Sequence, residues 1–117
     1  MQKTAILTLT SVAAAAILAH RFVDFDGTQA DAAGSKPMGV SVNKAEIGEA
    51  FPVDVLGTTK VEAGAAIPLG AKGLTPVMAA ADGRAVAFDG VAGSVVAGYA
   101  RQAAAGAGAI IEVLLTP

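Results

Sequence analysis

Cysteine and tryptophan are absent from this chain, and histidine occurs once. Without thiols there are no disulfides and no thiolate chemistry, and one imidazole without cysteine is a poor start for a zinc site. Aromatic residues make up 4% of the 117 positions, so bulky side chains for a core are scarce and small ones must pack it. Charge is sparse too. Lys and Arg number 8 against 10 Asp and Glu, a formal net charge of −2, with no basic stripe to neutralise phosphates; direct nucleic-acid binding is not expected. No apolar run reaches the roughly 20 residues of a membrane-crossing helix, so no membrane association is expected either.

Catalytic motifs are equally lacking. His20 stands beside Arg21 at the start of an expected strand with no orienting partner nearby in sequence, which suits an ordinary edge residue. Asp24-Phe25-Asp26-Gly27 opens like a calcium loop, yet Thr28 and Ala30 follow and no glutamate closes it at the twelfth place. Strand alternation instead sends Asp24 and Asp26 to solvent and turns Val23 and Phe25 inward. No Gly-Lys-Ser or Gly-Lys-Thr forms a phosphate loop, and Lys72-Gly73 has the order reversed. Ser35, Ser41 and Ser94 lack the elbow motif of hydrolases. The chain does not read as an enzyme, and no catalytic residue, cofactor or metal site is assigned.

What the chain has is glycine, alanine and a repeated pattern, around residues 22–57 and again, more compactly, around 86–116. Each copy begins with an apolar stretch ending in Phe-Asp-Gly (Phe25-Asp26-Gly27, Phe88-Asp89-Gly90). Each continues through a glycine-led strand (Gly39-Val40-Ser41, Gly98-Tyr99-Ala100) and closes on an apolar run with one acid (Val53-Asp54-Val55-Leu56, Ile111-Glu112-Val113-Leu114). A period of about 30 residues with glycine at the corners predicts duplicated β-units sharing a core.

Strands are expected at 4–11, 20–25, 38–42, 51–56, 59–62, 67–69, 74–78, 85–88, 95–100 and 110–115, with a tight turn at Asp82-Gly83. Pro52 lacks an N–H, which places its strand at a sheet edge or starts it one residue later. The whole predicts an all-β fold, a small barrel or sandwich of about eight short strands, with minor helix at 13–19 and 101–105. Residues 1–19 form an N-terminal arm or first strand ahead of a domain at 20–117.

That first segment also mimics a secretory leader, with an early Lys3, an apolar stretch and small residues at its end. Thr8, Thr10 and Ser11 interrupt the apolar stretch and fit an alternating strand better. The alternative reading is therefore an exported bacterial β-domain, acting as a binding module after loss of residues 1–19. As a strand, the segment has a second use, as an arm adding to a neighbour's sheet edge.

Several segments together resemble the capsid cement, or decoration, proteins of tailed bacteriophages. They are Arg21-Phe22-Val23 leading to Phe25-Asp26-Gly27, residues 48–57, residues 61–67 with Gly70, Asp82-Gly83-Arg84-Ala85-Val86, and Val96-Ala97-Gly98-Tyr99-Ala100 with the closing 111–115 run. The resemblance spans nearly the whole chain and carries no catalytic residues. It implies a structural virion protein on the capsid surface, on its outer face. It also implies a homo-trimer at threefold or quasi-threefold positions that binds the major capsid protein shell and resists the pressure of packaged DNA. The apolar residues Ile6, Leu7, Leu9, Val12, Ile17 and Leu18 are the candidates for that interface, the other use for them being to fill the barrel.

Overall fold

A computed structural model describes residues 3–70 and 75–115. It has eight strands: β1 Thr4–Val12, β2 Phe22–Val23, β3 Gly39–Ser41, β4 Ala50–Glu62, β5 Thr75–Ala79, β6 Ala85–Ala87, β7 Gly98–Ala100 and β8 Ile110–Leu115. They form one antiparallel sheet in the order β2-β3-β4-β8-β7-β5-β6, with β1 added on β4. The two ends of that path meet. Phe22 N donates to Gly83 O at 2.7 Å and Gly64 N to Ala85 O at 2.8 Å, so the sheet curls into a barrel-like form and leaves little open edge there.

Strand alternation splits the interior in two. In β2, Phe22 enters a larger cluster with Val40, Val61, Ile67, Val77, Ile111 and Val113, while its neighbour Val23 enters a smaller one with Ala13, Ile17, Phe51 and Val53. Alanine supplies much of the larger cluster, through Ala30, Ala63, Ala79, Ala85, Ala97, Ala100 and Ala104. The scarcity of aromatics is met by close approach of backbones.

The all-β architecture matches expectation, and the differences have local causes. Among the described residues there is no helix, including at 13–19 and 101–105. Backbone groups there are claimed from a distance: Ile17 and Ala45 exchange both hydrogen bonds, as do Ile67 and Ala104, and Arg101 N donates to Glu112 O. Alanine's helix propensity, a few tenths of a kcal/mol per residue, is outweighed by such tertiary bonds. The strands expected at 51–56 and 59–62 are one, because β4 runs through Gly57 at φ +92 with a register irregularity on β1 opposite it. The 67–69 strand reduces to a single bridge between Ile67 and Ala104.

Pro52 neither ends β4 nor sits outside it. It faces Thr10 of β1, and its carbonyl accepts from Val42 N on the other side, just beyond the last paired residue of β3. The missing N–H falls where pairing has run out. Alternation in β2 stops at Val23, where Asp24 N turns to bond Thr28 O, so Phe25 points to solvent and not inward. Leu74 of the expected 74–78 strand and the Lys72-Gly73 pair lie outside the described residues; the strand itself is β5.

The repeat has a structural echo: the glycine-led strands β3 and β7 and the closing strands β4 and β8 correspond as the sequence pairs them, while the Phe-Asp-Gly motifs do not. Met38 N donates to Val23 O and Ala97 N to Val77 O, both at 2.8 Å. The next residue in each case is a glycine, Gly39 or Gly98, laid directly on a neighbouring strand beside Val53 or Val113. By pairing, β2-β3-β4 corresponds to β5-β7-β8, with β6 extra. The repeated Phe-Asp-Gly motifs follow β2 and β6, which do not occupy equivalent places.

Candidate functional site

Strand β1 is the least buried element of the sheet. Its sequence, TAILTLTSV, has neither charge nor proline, and β4 is its sole partner strand among those described. Sheet edges in isolated proteins are usually guarded by charge, proline or brevity. This one is long and apolar. Of the residues singled out in the sequence, Ile6 is 77% exposed, Val12 60%, Leu9 42%, Leu7 40% and, beyond the strand, Leu18 51%. Ile17 is 1% exposed and packs in the smaller core cluster, so it presents nothing at the surface.

Beside β1 lies an apolar groove of about 400 Å³, lined by Leu7 and Leu9 of β1, Val55 and Leu56 of β4, Phe25, and Met38 with its neighbours. Lys36 is at its wall, where burial lowers its ammonium pKa below the ordinary 10.5. The turn that exposes Phe25, at 72%, is what brings its ring to the groove. The expected inward strand position concealed this residue, and Met38, Val55 and Leu56 gave no separate signal.

The strand is fastened by one buried carboxylate. Asp54 on β4 is 0% exposed. Thr8 Oγ1 donates to its Oδ1 at 2.8 Å, Thr59 Oγ1 to its Oδ2 at 2.7 Å, and Lys3 Nζ lies 2.9 Å from that Oδ2. Burial acts to raise the Asp54 carboxyl. The hydrogen bonds from Lys3, Thr59 and Thr8, with the Lys3 charge, outweigh it and hold the group below its ordinary 3.8. Two of the three donors come from β1 or the residue before it. The sequence did offer a hint here, since Asp54 is the lone acid inside the apolar run 53–56.

A second polar cluster closes the barrel. Glu62 Oε2 lies 3.3 Å from both Arg21 Nη2 and Arg84 Nη1, Arg84 Nε lies 2.8 Å from Asp82 Oδ2, and Arg21 Nη1 donates to Asp82 O at 2.9 Å. This ties the start of β2 and the end of β4 to the turn before β6. His20 beside it takes a left-handed backbone, φ 61, bonded through N to Ser41 O and through O from Glu62 N, which is a structural corner. Among the described residues no group of three metal-ligating side chains gathers.

The geometry is thus that of a small barrel with an apolar, unguarded edge. A search of the solved structures matches the head fiber gp8.5 N base of bacteriophage phi29, with a TM-score of 0.72 and 24% identity over 94% of this chain and 93% of that one, a likeness of fold. No curated protein matches. The family model for phage cement protein matches residues 1–115. With that match spanning both the unguarded strand and the barrel behind it, the chain belongs to the phage cement proteins, a structural, capsid-associated virion family and not a known class of enzyme.

Proposed function

We propose that this protein binds the assembled shell of the major capsid protein on its outer face, as a homo-trimer at threefold or quasi-threefold positions, and reinforces the head against packaged DNA. The observation that carries the reading is the exposed apolar strand β1 with the groove beside it. An edge this long and uncharged is a liability for a free protein and an asset for one destined to be covered. A low surface charge keeps the desolvation cost of such a contact small.

The mechanism is linkage. A protein that bridges several capsid subunits binds the assembled state better than free subunits, and stabilises that state by the difference. Trimerisation multiplies the effect, because three modest contacts held in one rigid body act together.

Co-sedimentation with expanded shells and with free capsid subunits tests it. Binding to shells at least 10-fold tighter than to subunits is the expected result. Equal affinity, or none for either, overturns the reading.

A further inference from the structure

Strand β1 can leave the domain without taking a residue from either apolar cluster. None of its residues belongs to either core cluster, and β4 keeps β3 and β8 when β1 is removed. What its departure does disturb is Asp54. That carboxylate is fully buried and takes two of its three donors, Lys3 and Thr8, from the departing segment. A buried charge stripped of its partners is strongly unfavourable. Whatever replaces β1 must bring a cation and, five residues on, a hydroxyl, on a strand antiparallel to β4.

A second copy of this chain brings that pattern by construction. The pivot for the exchange is also fixed. Ala13 N donates to Glu49 O and Ala13 O accepts from Gly48 N, each at 2.8 Å, so the chain is pinned to its own domain immediately after Val12.

We infer that β1 is exchanged between copies: the strand of one copy lies on β4 of the next, its Lys3 and Thr8 completing the bonds around the partner's Asp54. Exchange replaces each intramolecular contact by the same contact between chains, so its cost is confined to the pivot. The inference rests on the association of copies proposed above.

The absence of native cysteine makes a disulfide test clean. Thr10 and Pro52 face each other in β1 and β4 with the Pro52 carbonyl turned away toward Val42, the kind of antiparallel pair whose Cα atoms lie close, within disulfide range. Copies carrying Thr10→Cys alone are unfolded, mixed with differently tagged copies carrying Pro52→Cys alone, refolded together and oxidised. The expected product is a covalent heterodimer on a non-reducing denaturing gel. Its absence, while the double variant bridges within single chains, overturns exchange.

Sedimentation of the double variant, oxidised at high dilution so that each bridge closes within one chain, is the second reading. Loss of its assemblies to monomer supports exchange; assemblies of unchanged size overturn it. If such locked assemblies still bind capsid shells, exchange fails while the proposed function stands.

Discussion

Asp54 stands where a carboxylate is expensive, and it is tolerated because every donor around it is placed. Its folded pKa lies below the ordinary 3.8, so the unfolded chain takes up the proton first as pH falls. The sign follows. This group's stabilisation is fully present above about pH 4 and is lost as pH drops through the folded value. Thermal melts between pH 6 and pH 2 should show that acid limb, and Asp54→Asn should flatten it while lowering stability at neutral pH. Thr59→Val leaves one carboxylate oxygen with Lys3 alone, and a cost of about 1–3 kcal/mol is expected in urea unfolding. In the sequence Asp54 was only an acid in an apolar run; its depth and its donors at positions 3, 8 and 59 are long-range facts that no local pattern encodes.

Glycine-cornered strands were readable element by element because turns and alternation are local. Strands β1, β3, β5, β6 and β8 fall close to where periodicity puts them, and the run expected at 95–100 is strand only in its second half, β7. Helix does not form at 13–19 because the composition that favours it is local and the competing bonds to Ala45, Glu49 and Gly27 are not. The echo between β3 and β7 makes a sharp prediction. A Cβ on Gly39 would press into the Asp54 carbonyl, and one on Gly98 into that of Leu114. Gly39→Ala and Gly98→Ala should each destabilise by about 1–3 kcal/mol. Gly106→Ala, where a Cβ meets open space, should stay within about 0.5 kcal/mol, all read from denaturant midpoints. Gly57→Ala forces a side chain onto a backbone at φ +92 and against Thr4, so hydrogen exchange should report faster opening of β1 than of β8.

For the whole molecule, the candidate interface was legible as a set of apolar residues, and folding sorts it into five that reach the surface and one, Ile17, that does not. Ile6→Asp with Val12→Asp should leave the melting temperature nearly unchanged, since both side chains are mostly solvated and neither lines the groove, and weaken shell binding by at least 10-fold. Heads lacking the protein should release DNA at a lower temperature than complete ones; identical release temperatures would remove reinforcement as its role.

The rung through Thr58 has its own consequence, because Thr4 of β1 and Leu114 of β8 both pair with that one residue. Since β1 and β8 each run antiparallel to β4, they point the same way, one ending at the level where the other begins. Tension applied between Val12 and Ile110, the far ends of the two strands, slides both against β4 along this axis, loading their rungs in shear instead of peeling them singly. A part so strung resists stretching far better than its modest interior suggests.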